Sequence, residues 1–150
     1  MIHQVSIETV DAQSIAVVRR PASWTTLQQV ITPAMALVWS HLRAQPPAAT
    51  GRNVIIYLDN DPMLLIGAEV QPPLVAGNSV YLASTPSGLV ATTLHRGPYA
   101  DLPAAHRAIR EHCIKERRAR AGPCWEVYGH WTDDPAQLCT EIFYLLRAQT

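Results

Sequence analysis

The chain has 150 residues, of which 48% are hydrophobic, so it is long enough for a domain with a hydrophobic core and too apolar for a disordered tail. Its 12 basic and 12 acidic side chains give a formal net charge of zero, which offers no electrostatic support for a nucleic-acid or membrane-surface partner. No apolar run approaches the roughly 20 residues of a membrane helix, and no signal peptide is evident. The three cysteines are odd in number and widely spaced, so we interpret them as reduced thiols. We therefore expect a cytoplasmic protein.

The first third of the chain predicts strands followed by a helix. Apolar and polar residues alternate over 5–10, which predicts a strand, and 15–18 is either a second strand or its continuation. Apolar residues then recur at helical spacing from Thr25 to Leu42. Pro33 conflicts with one unbroken helix, because proline removes a hydrogen bond and clashes with the preceding turn. We favour a short first turn and a main helix from about Thr32 to Leu42; the alternative is an earlier start with a kink.

The middle of the chain reads as two strands and a linker. Residues 53–58 form a nearly continuous apolar run, which is typical of a strand covered on both faces. A turn separates it from a further strand at 63–70. Residues 71–78 contain two consecutive prolines and a glycine, so they are the best linker candidate.

The second half predicts the same kinds of element. Strands are expected at 80–84 and 89–94, followed by a helix that Asp101 caps. This helix is expected to end in a basic run, with Gly122 as its C-terminal cap. We expect this basic run to be a solvated helix end. The last two strands are predicted at 122–128 and 139–146.

The two halves repeat each other, with a first repeat of about 1–72 and a second of about 78–150 in one domain spanning 1–150. Each half reads strand, helix, strand, strand, and neither buries enough surface to be stable alone. We therefore predict an α+β fold, a tandem β-α-β-β pseudo-dimer with a cleft where the repeats meet. The matching segments are Ala16-x7-Trp24-x2-Leu27 with Ala91-x7-Tyr99-x2-Leu102, Gly51-x5-Tyr57 with Gly122-x5-Tyr128, Asp61-Pro62 with Asp134-Pro135, and Ala68-Glu69-Val70 with Thr140-Glu141-Ile142.

Glu126 is the residue that does not fit its surroundings. It lies in the middle of a predicted strand, where alternation places it on one face with Cys124 and Tyr128. If that face is solvated, Glu126 points to water. If both faces are covered, the carboxylate needs a hydrogen bond, a cationic ligand or a raised pKa. The first repeat has Ile55 at the equivalent position, so the repeat supplies the acid once, which indicates a function beyond the fold.

Several motifs of the second half resemble those of a known family. The motifs are His95-Arg96-Gly97-Pro98-Tyr99-x2-Leu102, Gly122-Pro123-x-Trp125-Glu126-x-Tyr128, Asp134-Pro135 and Thr140-Glu141-Ile142. They are similar to those of the GyrI-like small-molecule-binding domain, which also forms the effector-binding half of multidrug-sensing regulators of the AraC and MerR types. The resemblance implies SHS2-like β-α-β-β modules and a mostly apolar cleft with an acid, here Glu126, at its floor. In the regulators this acid meets flat, cationic, aromatic drugs. No DNA-binding segment precedes the module, so we expect no direct contact with nucleic acid.

The resemblance also proposes the rest of the site. Aromatic walls of the cleft would come from six residues, although each could instead belong to the core: Tyr128, Tyr57, Trp24, Tyr99, Trp39 and Trp125. His95 lies at a strand end, where it is either polar surface or a proton donor to the ligand. His, Cys and acidic residues do not occur at zinc-like spacing, and no cofactor fingerprint is found, so neither a metal nor a cofactor is expected.

Three functions are compatible with this interpretation. The first is protective binding of a hydrophobic, aromatic molecule that is cationic or electrophilic. The second is a cofactor-free hydrolase for self-resistance, since some relatives open strained cyclopropane rings of DNA-alkylating natural products. Glu126 would then be the general acid or base and Tyr57 or Tyr128 would stabilise the oxyanion. The third is inhibition of DNA gyrase, as the family name suggests. Because the pseudo-dimer satisfies its own interface, we expect a monomer or a weak homodimer.

Overall fold

The structure is a computed structural model that describes residues 2–148. Within this range the chain forms an α+β fold of antiparallel strands and two α-helices, which confirms the predicted fold class. In chain order the elements are β1 (Ser6–Val10), β2 (Ser14–Pro21), α1 (Leu27–Ala44), β3 (Ala49–Tyr57), β4 (Met63–Gln71), β5 (Tyr81–Ser84), β6 (Gly88–Arg96), α2 (Leu102–Lys115), β7 (Arg120–Tyr128) and β8 (Cys139–Leu146).

The chain divides into two compact units. Unit 1 comprises the residues up to Asp11 together with those from Ser87 onward, and unit 2 comprises Ala12–Pro86. In unit 1 the strand order is β1-β6-β8-β7, and α2 packs on β6 and β8. Its core is apolar and lies between α2 and the sheet: Ala91, Leu102, Ala105, Ile109, Cys113, Ile142, Tyr144 and Leu146.

Unit 2 has the corresponding order β5-β2-β4-β3, with α1 packed on β4 and β2. Alternate side chains of β2 and β4 face the helix, and the continuous apolar runs Ile15–Val18 and Leu64–Ile66 are buried throughout. A strand without polar alternation is expected where both faces of the sheet are covered. Each unit therefore buries its own core under its own helix.

The edge strands do not follow the order of the sequence. β1 pairs with β6 of the second half, with Ser6 opposite Thr92, whereas β5 pairs with β2 of the first half, with Ala83 opposite Ile15. The stretch at 15–18 is therefore a separate strand from β1. The bounds of the compact units therefore differ from those of the predicted repeats, about 1–72 and 78–150, at their ends. The duplication of the sequence itself stays a prediction.

The pairing registers show whether the predicted matches between the two units are consistent with each other. Ile55 lies opposite Ile66 in unit 2, and Glu126 lies opposite Ile142 in unit 1. The offset is thus 71 positions for β3 and β7 (126 − 55) and 76 for β4 and β8 (142 − 66). The equivalence of Ile55 and Glu126 stays a prediction from the sequence. With that equivalence, the registers are inconsistent with the match of Ala68-Glu69-Val70 with Thr140-Glu141-Ile142, which needs an offset of 72. The reason is a longer connection between β7 and β8 than between β3 and β4.

Helix α1 begins earlier than we favoured. It runs unbroken from Leu27 to Ala44 with Pro33 inside it, so the predicted start near Thr32 is wrong. Pro33 is exposed, and the residue whose carbonyl loses its helical donor, Gln29, is exposed as well. Water can satisfy that carbonyl, and the half-buried side chains of the first turns contribute apolar burial that offsets the lost hydrogen bond.

Helix α2 ends earlier than its basic run suggested. It stops at Lys115, Arg117 adopts a positive φ of 54°, and the chain returns as β7 at Arg120. Gly122 is therefore not a helix cap. It has a φ of 122° and lies within the irregular pairing between Arg120 and Cys124, where glycine avoids the steric cost of a left-handed backbone.

Candidate ligand-binding site

Glu126 is buried in the middle of β7. Its exposed fraction is 4%, and the neighbours Trp125 and Val127 are buried at 2% and 5%. The strand is therefore covered on both faces, which excludes the interpretation that Glu126 points to water. Trp125 stacks on Phe143 on the opposite face, with ring centroids 5.1 Å apart.

Two side chains of unit 1 hydrogen-bond to the Glu126 carboxylate. The Tyr128 hydroxyl donates to Oε1 at 2.6 Å, from the same face of β7. On α2, the Nε2 atom of His106 lies 2.9 Å from Oε2. Each carboxylate oxygen thus accepts a short hydrogen bond, which compensates for the loss of water around a buried charge.

The polar cluster continues from His106 to β8. The Nδ1 atom of His106 lies 2.6 Å from the Tyr144 hydroxyl, and Arg110 approaches the same hydroxyl at 3.5 Å. Burial, followed by the charge of Cys124, raises the pKa of Tyr144 to about 12. Burial, followed by the charge of Glu126, raises the pKa of the Cys124 thiol to about 11. Both groups therefore keep their protons at neutral pH.

Aromatic rings lie on the outer side of this cluster. Tyr99, which is 40% exposed, meets the Tyr128 ring edge-on with centroids 5.6 Å apart. The side chains of Tyr99, Tyr128 and Glu126 therefore follow one another in space from the solvent to the buried acid. In unit 2 the equivalent rings, Trp24 and Tyr57, also pack together, stacked at 6.0 Å.

The remaining predicted site residues lie elsewhere. Trp39 donates from Nε1 to the Asn53 side chain at 2.7 Å within unit 2. Trp125 lies on the face of β7 opposite Glu126. His95 is fully buried, with Nε2 3.0 Å from the Pro98 carbonyl and Nδ1 3.0 Å from Nε2 of His3. The structure thus brings Glu126, Tyr128 and Tyr99 together, and these three predicted residues define the candidate site.

Sequence reasoning missed three members of the cluster, which are His106, Arg110 and Tyr144. The repeat contained the signal for the first, because the offset of 75 between the helices (102 − 27) places Ile31 at the position of His106. Comparison at that offset identifies His106 as a second position, besides Glu126, where unit 1 has a polar residue and unit 2 an apolar one. Tyr144 was hidden by the wrong offset for the last strand; the registers make Ala68 its equivalent (144 − 76).

Unit 1 also carries a groove of about 890 Å³ on the other side of its sheet. Residues of the N-terminal segment, β1 and β6 line it, together with Glu141 of β8. Glu8, Thr92 and Arg96 give it a polar, mixed-charge surface. This groove does not include Glu126 or its partners, so it is a competing location for a ligand.

Metal binding and membrane crossing each require a recognisable arrangement of residues. Between residues 2 and 148, no group of three or more His, Cys, Asp and Glu side chains is arranged to hold a metal ion. Neither of the two described helices combines the length and hydrophobicity that crossing a membrane requires.

Comparisons with known proteins identify the family. The family model of the GyrI-like small molecule binding domain matches residues 3–147, so the chain belongs to the GyrI-like family of small-molecule-binding domains. A comparison with curated protein sequences finds no match.

Solved structures share the fold at low sequence identity. The C-terminal domain of EcmrR superposes with a TM-score of 0.81 at 15% identity, covering 99% of this chain and 100% of that one. A hydrolase from Listeria innocua superposes with a TM-score of 0.63 at 11% identity, covering 96% and 92%. SAV2435, solved with bound tetraphenylphosphonium, superposes with a TM-score of 0.65 at 11% identity, covering 99% and 95%.

Proposed function

We propose that unit 1 binds a hydrophobic, aromatic small molecule with positive charge at Glu126, and that this binding protects the cell from toxic compounds of that kind. The observation that carries the proposal is a carboxylate only 4% exposed behind the rings of Tyr128 and Tyr99. A functional acid in an apolar setting is a frequent feature of binding sites.

The electrostatics of the cluster favour a cation. While His106 is neutral, the Glu126–His106 pair carries a charge of −1, and a charge in a poorly solvated site interacts more strongly than one in water. The faces of Tyr128 and Tyr99 add an attraction of roughly 0.5–2 kcal/mol for each cation–ring contact. A flat or propeller-shaped aromatic cation uses both terms together.

The family supports the class of ligand. GyrI-like domains are small-molecule-binding domains, and one structural neighbour holds tetraphenylphosphonium, a permanent aromatic cation. We infer that this cation is a suitable probe for the site, and that triphenylphosphine oxide is its neutral counterpart of similar shape.

Titration of the protein with both probes, followed by tryptophan fluorescence, tests the proposal. Glu126→Gln keeps the size of the side chain and removes its charge, so the Kd for tetraphenylphosphonium should rise about tenfold to a hundredfold. The Kd for triphenylphosphine oxide should change little. Glu141→Gln is the matched control, because it removes a carboxylate of the same unit from the opposite side of the sheet.

Two results contradict the proposal. Equal weakening of both probes by Glu126→Gln refutes the role of charge. An effect of Glu141→Gln that is as large as that of Glu126→Gln refutes the location and favours the groove on the other side of the sheet.

A second candidate function is a cofactor-free hydrolase of cyclopropane-bearing alkylators, and the contact between His106 and Glu126 favours it. A histidine–carboxylate pair can accept the proton of a water whose oxygen bonds to a cyclopropane carbon while the strained carbon–carbon bond breaks. Tyr128, one of the two tyrosines predicted for this role, donates to Glu126 at 2.6 Å. The electron pair of the broken bond would pass to a conjugated carbonyl oxygen of the substrate.

Mass spectrometry of such an alkylator, incubated in molar excess over the protein, separates the two functions. A water-added product beyond one equivalent that disappears in Glu126→Gln supports the hydrolase. Unchanged compound with quenched tryptophan fluorescence supports binding alone. The gyrase-inhibitor hypothesis, the cleft between repeats, the oligomeric state and the cytoplasmic location stay predictions.

A further inference from the structure

His106 lies between two groups that respond differently to its protonation. Its Nε2 atom lies 2.9 Å from Glu126 and its Nδ1 atom lies 2.6 Å from the Tyr144 hydroxyl. A neutral imidazole that donates from Nε2 to the carboxylate has an acceptor at Nδ1, and the Tyr144 hydroxyl can donate to it. A protonated imidazole donates from both nitrogens, and the Tyr144 oxygen can then accept.

Tyr144 has partners in either case. Arg110 donates to its oxygen at 3.5 Å, and the nearby Cys124 contributes to the raised pKa of Tyr144. The Tyr144 hydroxyl can rotate, so it donates to neutral His106 and accepts from protonated His106. The hydrogen bond between these two side chains is therefore kept in both protonation states of His106.

We propose that His106 determines the charge of the ligand that the Glu126 site accepts. With neutral His106, the pair carries −1 and favours a cation; with protonated His106, the pair is neutral and this preference for a cation is lost. A cation therefore binds with release of a proton from His106, whereas a neutral ligand binds without it. This inference rests on the proposed function, because it concerns the same site.

The charges around His106 come from three elements. Helix α2 contributes Arg110, and β8 contributes Tyr144. Strand β7 contributes four side chains, which are Glu126, Tyr128, Cys124 and Arg120. The Arg120 guanidinium lies 5.8 Å from the Tyr144 ring centroid. The guanidinium groups keep their charge at every pH at which the protein is folded. His106 can change the charge of the cluster because its hydrogen bonds to Glu126 and Tyr144 are possible in both of its charge states.

Unit 2 provides the contrast for this argument. Ile31 occupies the position equivalent to His106, at the helix offset of 75 (106 − 31). An apolar residue therefore suffices for packing the helix on the sheet at this position. The histidine adds a change of charge that the fold does not need.

Isothermal titration calorimetry of the full chain with tetraphenylphosphonium, in two buffers of different ionisation enthalpy, measures the released protons. We expect up to one proton to be released per cation bound, and fewer protons as the pH rises. The affinity for the cation should rise with pH by at most about tenfold per unit, as linkage requires. Binding of triphenylphosphine oxide should be independent of pH.

His106→Gln is the decisive variant, since its amide can still donate to Glu126 while it cannot take up a proton. Its affinity for the cation should not depend on pH between about 5 and 8. Proton release that persists in this variant, or wild-type binding of the cation without proton release, overturns the inference and leaves the proposed site intact. Absence of cation binding at every pH overturns both. The wild-type measurement stands even if the variant fails to fold.

Discussion

Units 1 and 2 share a strand order around one helix but differ in what the helix-covered face of the sheet carries. Unit 1 has Glu126, His106 and Tyr144 in contact there. Unit 2 has Ile55, Ile31 and Ala68 at the equivalent positions. Since the apolar set is sufficient for packing in unit 2, packing alone does not require the polar set of unit 1, which supports the function that we propose for it.

The aromatic pairs, in contrast, are common to both units. Both units pack a ring at the helix entry onto a tyrosine near the end of the strand after the helix, as Trp24 on Tyr57 and Tyr99 on Tyr128. A feature that both units share does not mark a site by itself. In unit 1 the tyrosine also donates to a buried acid on its own strand, Glu126, whereas the predicted equivalent of that acid on the strand of Tyr57 is the apolar Ile55.

The largest effect is expected when the acid is moved to unit 2. Ile55 is 3% exposed, and neither His106 nor Tyr144 has a polar equivalent there. Ile55→Glu should therefore lower the free energy of unfolding by about 4 kcal/mol at neutral pH, measured by urea denaturation. Ile55→Val is the control and should cost about 1 kcal/mol. A loss from Ile55→Glu no larger than the control would show that unit 2 can also host a carboxylate.

A smaller effect is expected when unit 1 is given one residue of unit 2. His106→Ile removes the partner of a buried carboxylate oxygen and should cost about 3 kcal/mol. Adding Glu126→Ile removes the charge as well, so the double variant should recover part of that loss. A double-mutant cycle by chemical denaturation should yield a coupling energy of about 1–3 kcal/mol. Additive losses would contradict the coupling of the two side chains.

Alkaline pH should affect unit 1 through Tyr144. Its pKa is raised to about 12 from the ordinary 10.0, chiefly by burial, so the folded protein holds this proton more tightly than the unfolded chain. The corresponding stability is full below pH 10 and is lost as the pH rises through about 12. We expect a loss of about 2 kcal/mol over this range. Tyr144→Phe should show a flatter pH dependence of unfolding; an unchanged slope would contradict the assignment.

The smallest effect concerns Arg110, which is exposed and contacts Tyr144 at 3.5 Å. The helix offset of 75 makes Met35 its equivalent in unit 2 (110 − 35). Arg110→Met should change the free energy of unfolding by less than about 0.5 kcal/mol, because an exposed, long contact contributes little. A loss comparable to that of His106→Ile would show that the guanidinium is an integral part of the buried cluster.

Local signals in the sequence predicted most of the elements. Alternation and apolar runs located the strands, and Cys139–Leu146 was predicted with the bounds that the structure shows. The early start of α1 was missed, because burial along the first turns outweighs the local cost of Pro33. The pairing of β1 with β6 and of β5 with β2 could not be predicted, since partner choice between distant strands is set by tertiary packing.

The site was predicted through the repeat and was limited by the accuracy of its alignment. Glu126 was found because Ile55 stands at its position, and Tyr128 and Tyr99 followed from the resemblance. His106 became visible only when the helices were compared position by position. Tyr144 required the pairing register, because the longer connection before β8 shifts its offset to 76 (144 − 68).

A crystal structure of the complex with tetraphenylphosphonium would show directly whether the ligand binds at Glu126. We expect the cation to lie against the ring of Tyr128 and in front of the Glu126 carboxylate, with Tyr99 at its outer side. A cation seated instead in the groove lined by Glu8, Arg96 and Glu141 would contradict the assignment of the site to the helix-covered face of unit 1.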